Sequence, residues 1–517
     1  MTTRIFAWML CGSLASAGAM DFDELRHRAA QQASTPYRPQ DQTIPEALAK
    51  WDYSQYTAVH YRQDTGVWRA ADSKFYLQGF LRAYLFPERM RIHLLEGSQS
   101  REYRFAAGNF SVDQQAQPNL TLPALPEDFG YSGFRVWYPL DRPDRFDEVA
   151  VFQGASYFRM LGREQAYGLS ARGLAVDAAT PGRGEEFPAF TEVWVQQPAA
   201  GEERLIVYAL LDGPTLAGAY EFTVAPGDET VADVRAALFF RKQPARLGQA
   251  PLTSMFWYGE NNYRKFVEFR PEVHDSDGLL IWHQDGSRTW RPLQTVTQPL
   301  VDVYPADHPV GFGLLQRDRA FASYADLEAR YQARPSLWVE PKGDWGAGSV
   351  VLWQMPTTNE YADNVVAYWA PTVPPAAGEK RELAYRLTWT RNEPRGSTRG
   401  GEVLATYLKP LYGRRDLFRY LIDFSWDGDN RGPFAEDRVP EIGIEVGEDG
   451  ELLERFVKAN PYNRSWRLHG VVRYQGPQMR VPLRAWLSDG KEGGWRTETW
   501  SYTMAPQGEL SAALGPW

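Results

Sequence analysis

An all-β protein is predicted for this 517-residue chain, and three observations predict it. Short segments mixing aromatic and β-branched residues recur throughout, among them Phe134-Arg-Val-Trp-Tyr138, Glu192-Val-Trp-Val195 and Leu383-Ala-Tyr-Arg-Leu-Thr-Trp389. Such residues suit a pleated, half-buried strand. The 44 glycines and 36 prolines interrupt these runs at the spacing of turns rather than of long helices. Helical patterning is confined to two short stretches, 21–32 and 323–331. In the second, Ser323 is the expected cap with Asp326 three residues on, and Pro335 limits its extension.

The individual elements follow from local signals. Asp285-Gly286, between strands expected at 279–283 and 288–293, is a strong signal of a turn joining two strands. The polar run Asn392-Glu-Pro-Arg-Gly-Ser-Thr-Arg-Gly-Gly401 has no apolar periodicity and reads as a linker. Beyond it, strands are expected at 420–426, 441–446, 466–474, 481–486 and 497–504, the size and rhythm of an immunoglobulin-like sandwich. The expected organisation is therefore a large, extended β-sandwich at 20–391, a linker at 392–401 and a small immunoglobulin-like β-sandwich at 402–517. No repeat at a solenoid or propeller period is evident.

Residues 1–19 have the form of a secretion signal. Arg4 precedes an apolar stretch that ends in Ala17-Gly18-Ala19, an A-x-A cleavage pattern. The stretch is too short to span a bilayer comfortably and lacks twin arginines. The expectation is a periplasmic protein on the general secretory route, with no membrane span in the mature chain. Cys11, the single cysteine, lies inside this segment. A disulfide framework, a thiol nucleophile and a thiolate metal site are thus all excluded from the mature chain.

Composition narrows the chemistry further. A formal charge of −9 argues against nucleic acid as a partner. Neither a phosphate-binding glycine loop nor a dinucleotide fingerprint is present, so no cofactor is expected. No G-x-S-x-G elbow occurs. Asp427-Gly-Asp-Asn-Arg-Gly432 resembles the start of a calcium loop, but Arg431 and Arg438 occupy ligand positions. The seven histidines form no H-x-H or H-x-x-x-H pair, and no metal is expected. His274-Asp275-Ser276-Asp277 reads more naturally as a turn whose carboxylates bond backbone amides.

What remains are two carboxylate clusters about ninety positions apart in an aromatic-rich chain. Asp275 and Asp277 precede the strand expected at 279–283. Glu360 and Asp363 sit between strands expected at 350–355 and 364–369. Loops at strand ends are where scaffolded sites are built. Carboxylates do acid/base work, and indole faces cover sugar rings, so the combination points to carbohydrate chemistry. Cleavage of a sugar without a covalent intermediate needs a proton donor and a base on either side of a water. Trp338, Trp345, Trp353 and Trp369 are candidate stacking platforms, Trp345 first because its glycine-flanked loop should expose it. Tyr331, Arg334 and Lys342 are candidate polar contacts.

At these residues the chain resembles the periplasmic glucan biosynthesis protein G/D family (OpgG/OpgD, MdoG/MdoD; glycoside hydrolase family 186). Matching segments include Gly154-Ala-Ser-Tyr-Phe-Arg159, Tyr167-Gly-Leu-Ser-Ala-Arg-Gly-Leu-Ala175, Gly184-Glu-Glu-Phe-Pro188 and Pro251-Leu-Thr-Ser-Met-Phe256. Further matches are Arg270-Pro-Glu-Val-His-Asp-Ser-Asp-Gly278, Gly311-Phe-Gly-Leu-Leu-Gln-Arg-Asp-Arg319 and Arg334-Pro-Ser-Leu-Trp-Val-Glu-Pro341. The resemblance covers essentially the whole chain after residue 19.

The resemblance implies a mutarotase-like large β-sandwich and a role in making or trimming osmoregulated periplasmic glucans, which have β-1,2-linked glucose backbones. It further implies an anomer-inverting β-1,2-glucanase. A transglycosylase that forms cyclised glucan and a non-catalytic glucan-binding factor are the alternatives. By motif, Asp363 matches the family's general acid and Asp275 its base, with Asp277 as the rival base. Tyr331 and Glu360 match polar positions near substrate and water. The run Glu360-Tyr361-Ala362-Asp363 departs from the Thr-Asn expected between the acids, which bears on substrate or product preference. A homodimer is compatible with this reading.

Overall fold

The computed structural model describes residues 20–504, except 70, 263–267, 395–399, 412, 413, 415, 427–436, 476–479, 492 and 493. The expected signal at 1–19 and the calcium-like stretch 427–432 lie outside the described residues. The chain is built almost wholly of strands, in two large sheets packed face to face. The expectation of an all-β sandwich protein is met.

One sheet has ten strands. Along its main path are Tyr76–Phe80, Gly133–Arg142, Arg145–Gln153, Tyr157–Met160, Ser170–Arg172, Leu247–Ser254, Val365–Pro371, Gly348–Gln354 and Leu300–Pro305. The other has fourteen strands, and its centre includes Ser336–Lys342, Lys380–Thr390, Thr230–Phe240 and Leu216–Ala225. Between them lies a continuous apolar core that includes Phe134, Phe152, Phe158, Phe222, Leu252 and Trp389. Successive residues of a strand point to opposite faces. When Phe152, Phe158, Ala171 and Leu252 face this core, their neighbours Gln153, Tyr157, Arg172 and Thr253 must face away from it. That outward face of the ten-stranded sheet carries the candidate site.

The first helix forms as expected, at Phe22–Ala33, with the Asp21 carboxylate accepting from the amide of Glu24 at 2.9 Å. It buries Leu25 and Ala29 against the outer face of the fourteen-stranded sheet. The second expected helix does not form. Instead a single turn, Phe321–Tyr324, is followed by a 3₁₀ turn, Tyr331–Ala333. Ala325 and Arg330 between them adopt left-handed backbone conformations (φ 52° and 50°). Ser323 caps nothing, and Asp326 accepts from the amides of Glu328 and Ala329. A short polar side chain here competes with the helix for backbone donors, and it wins.

The expected hairpin pairs Gly278–Trp282 with Arg288–Pro292, and Gly286 at φ 85° supplies the conformation its turn requires. Beyond the polar run at 392–401, strands Val403–Pro410, Leu417–Ser425, Ser465–Tyr474 and Gly450–Asn460 form a four-stranded sheet. Facing it are Glu441–Val446, Val481–Ser488 and Thr499–Met504, with a second apolar core around Phe424, Trp466, Leu468 and Trp500. Thr499–Met504 also pairs in parallel with Arg288–Pro292, through two residue pairs. The fourteen-stranded sheet therefore runs through both halves of the chain.

Two pairs of parallel register are a slight connection, so side chains must carry much of the joint. Arg317 is their centre. It reaches Glu498 at 2.8 Å, Glu393 at 2.9 Å and the carbonyl of Val403 at 3.0 Å, and its guanidinium lies 3.6 Å from the ring centre of Trp290. The Glu498 side chain has no solvent exposure. Removing its partner would strand a buried charge, which costs about 3–5 kcal/mol. Arg317→Met should therefore lower the thermal midpoint markedly. Adding Glu498→Gln should recover part of the loss, and calorimetry of the two variants checks both.

Candidate active site

Residues 254–256 bring the two acidic loops together. Strand Leu247–Ser254 pairs with Val365–Pro371, placing Ser254 opposite Val365. The chain then continues into Phe256–Tyr258, which pairs with Val273–His274 and places Phe256 opposite His274. On one side, the Asn364 amide donates to the Ser254 carbonyl at 3.1 Å. The Asn364 side chain accepts from the amide of Phe256 at 2.9 Å and donates to the carbonyls of Phe256 and Met355 at 3.0 and 2.8 Å. On the other side, the Asp275 amide donates to the Met255 carbonyl at 2.8 Å. The hydroxyls of Ser254 and Ser276 lie 2.8 Å apart. Asp275 and Asp363, the residue before Asn364, thus hang from one three-residue strap.

The two carboxyls sit in unlike surroundings. Asp275 is buried and forms an ion pair with Arg334. Burial raises its pKa, and the Arg334 charge opposes that rise. The Arg334 guanidinium lies 4.2 Å from the ring centre of Tyr331, and its Nε donates to the Ala329 carbonyl at 3.2 Å. Gly168 permits this placement, since a Cβ there would stand 2.9 Å from Cβ of Arg334.

Asp363 opens to solvent within a cleft of ≈ 340 Å³, lined also by Phe86, Gln153, Tyr157, Phe158, Arg159 and Ser170. Its carboxyl is reachable by water, yet enough protein surrounds it for desolvation to act. Desolvation first, then the negative charge of Asp275, pushes its pKa up to about 6, against the opposing charges of Arg172 and Arg159. A carboxyl so placed carries a proton through mildly acidic pH and can give it away.

Tyr331 and Glu360 form the third part of the site. The Tyr331 hydroxyl donates to Glu360, whose carboxylate also accepts from Arg270 at 2.7 Å. Arg270 in turn holds Asp326 and Glu268, each at 2.9 Å. Burial, then the bond to Glu360, raises the Tyr331 pKa, so the phenol keeps its proton at neutral pH. Asp275, Arg334, Tyr331, Glu360 and Arg270 therefore form one chain of contacts beside Asp363.

Asp277, the rival to Asp275, points elsewhere. It accepts from the amides of Arg317 and, at 2.8 Å, Asp318, and it lines a separate pocket with Glu260, Glu272, His274, Trp290 and Thr406. Burial raises its pKa, to about 6, and burial raises that of Asp275 too, so the direction of the shift does not separate the rivals. Orientation does: the charge felt by Asp363 is that of Asp275.

Glu272, His274 and Asp277 bring three potential metal-ligand atoms within 4.8 Å of one another, the one such group among the described residues. Gln316 donates through its amide to the carbonyls of His274 and Tyr331, so its oxygen faces His274 Nδ1 at 3.0 Å. Nδ1 is thereby the donor, and Nε2 lies 2.8 Å from Glu272 and 3.5 Å from Asp277. Burial opposes the imidazolium, but the two carboxylates outweigh it and push the pKa up to about 9. A proton on Nε2 offsets one of the two carboxylate charges in this cluster.

Two expected contact residues are not at the site. Trp345 is only 8% exposed; its indole donates to the Ala384 carbonyl at 3.2 Å and packs against Trp369 at 5.4 Å. Gly343 and Gly346, both with positive φ, turn the loop so that the large apolar ring folds back onto the core. Lys342 pairs with Glu340 at 2.9 Å at the end of strand Ser336–Lys342. At ~3.3 Å per residue, this end of the strand stands roughly 25 Å from Arg334. Trp338 and Trp369 are buried, and Trp353 packs among Val301, Val351 and Val366.

The aromatic and cationic groups beside Asp363 are instead Tyr157, Arg159 and Arg172, which residue-by-residue reading passes over. They lie inside the motifs Gly154–Arg159 and Tyr167–Ala175, and alternation in Tyr157-Phe158-Arg159-Met160 is the signal that would have set them facing outward.

Among the described residues no helix is long and apolar enough to cross a membrane. The family described as "Periplasmic glucan biosynthesis protein, MdoG" matches residues 20–504. Relatives named "Glucans biosynthesis protein G" include one from Vibrio cholerae serotype O1, 41% identical over 494 residues, with 94% of this chain and 87% of the relative covered. Another, from Ralstonia nicotianae, is 38% identical over 508 residues, covering 96% and 98%. A third, from Pseudomonas aeruginosa, is 35% identical over 525 residues, covering 97% of each. The chain belongs to the periplasmic glucan biosynthesis protein family.

Proposed function

We propose that this chain acts in the periplasm on β-1,2-linked glucan as an anomer-inverting glucanase, with Asp363 as general acid and Asp275 as general base. The observation that carries this reading is the pair of carboxyls held on one strap in unlike environments. One is open to a cleft with its pKa raised to about 6, and the other is buried against a guanidinium. Environments that differ in this way divide acid from base.

In the proposed reaction, protonated Asp363 gives its proton to the departing glycosidic oxygen as the bond to the anomeric carbon breaks. A water attacks that carbon from the opposite face. The water's proton passes to Asp275, and the configuration inverts. Arg334 keeps Asp275 available as an anion. Tyr331, held by Glu360 and stacked on Arg334, is the hydroxyl placed to orient the water. A hydroxyl of the same glucan chain replacing that water would give transglycosylation to a ring, a product lighter by one water than the linear glucan of equal length. A binding factor alone would give no new products.

Asp363→Asn keeps the shape of the side chain and removes the proton. It should reduce release of new reducing ends from linear β-1,2-glucan by about 10²–10⁴-fold; full activity in this variant would end the assignment. The acid must be protonated, so kcat/KM should fall as pH rises through about 6. Arg159 lowers the Asp363 pKa. Arg159→Gln should therefore move this alkaline limb to higher pH, which a pH series of initial rates will measure.

A further inference from the structure

The motif Gly184-Glu-Glu-Phe-Pro188 has no part in the chemistry above, yet its side chains are tied to the same cleft. Glu185 forms an ion pair with Arg172 at 2.6 Å, and both side chains are nearly inaccessible. Glu186 accepts from the amide of Thr215 at 2.9 Å and from its hydroxyl at 2.6 Å. With both glutamates anchored, Phe187, the next residue along the chain, is held in place while remaining 51% exposed.

A lone exposed phenylalanine is ordinary on protein surfaces. Phe187 differs in what lies beneath it. The Arg172 guanidinium carbon is 5.6 Å from the Phe187 ring centre and 5.1 Å from that of Tyr157. Arg172 is fixed from below by Thr253, whose hydroxyl accepts from its Nε at 2.8 Å. Tyr157 lies opposite Arg172 in adjacent strands and lines the cleft with Asp363. Phe187 thus extends the wall of that cleft outward, supported by a cation.

We propose that Phe187, backed by Arg172, is a stacking platform for a glucose unit of the glucan beyond the reacting bond, on the Asp363 side of the cleft. The exposed ring face carries the negative end of the aromatic quadrupole. The C–H face of a β-glucose ring presents weakly positive hydrogens to it. This platform fills the role expected of Trp345, and it rests on the reading of the site as a β-1,2-glucan cleft. It makes Phe187 a determinant of how long a chain the protein prefers.

Titration calorimetry on proteins carrying Asp363→Asn, which leaves glucan uncleaved, separates this inference from that reading. Long linear β-1,2-glucan and a short β-1,2-gluco-oligosaccharide are the two probes. With Phe187→Ala added, affinity for the long glucan should drop about tenfold, as expected for one stacked group. The drop should be smaller for the short oligosaccharide, and Phe187→Trp should restore long-chain affinity. Equal long-chain affinity with and without the phenyl ring would overturn the platform alone. An absence of glucan binding by the Asp363→Asn protein itself would overturn both the platform and the glucan reading.

Discussion

Everything at the site depends on the strap at 254–256 and the hydrogen bonds it offers to both sides. Carboxylates ninety positions apart have no local reason to meet. They meet because strand Leu247–Ser254 lies beside Val365–Pro371, and its continuation lies beside Val273–His274. Asn364 uses its backbone amide and all of its side-chain hydrogen-bonding groups to fix this crossing. A buried amide satisfied in this way leaves little freedom to the residue before it. Asp363 is exposed, but its backbone is not free to wander.

The same geometry explains how two similar acids come to have different work. Both are partly removed from water, and that alone raises both pKa values. Asp275 has a guanidinium in contact, whereas Arg172 and Arg159 act on Asp363 only as charges nearby. Arg334 is itself positioned by Tyr331 and by the space that Gly168 leaves. Arg334 opposes the rise that burial imposes on the base and so favours its anion, and the acid, feeling that charge, is encouraged to hold its proton.

Strand content, the Asp285-Gly286 hairpin and the placement of both acidic loops were legible in the sequence, because each rests on signals within a few residues. So was the first helix, expected at 21–32 and formed at Phe22–Ala33. The second expected helix was not, because the carboxylate of Asp326 takes backbone amides that a helix would need. Trp345 was misjudged for a related reason: flanking glycines mark a tight turn, and a turn can fold an indole inward as readily as outward. Asp275 and Asp277 are equally acidic in sequence, and only the tertiary positions of Arg334 and Arg317 show which way each points. The role of Arg172 needs three strands and the 185–187 segment in register, which no local pattern encodes.

The proposed division of labour requires Asp275 and Asp363 to be electrostatically coupled. Carboxyl carbon NMR of Asp363, titrated in the unsubstituted protein and in Asp275→Asn, measures that coupling directly. The expected result is a midpoint near pH 6 that moves towards the ordinary aspartate range when the neighbouring charge is removed. An Asp363 midpoint already in that ordinary range, or one indifferent to the Asp275 substitution, would contradict it.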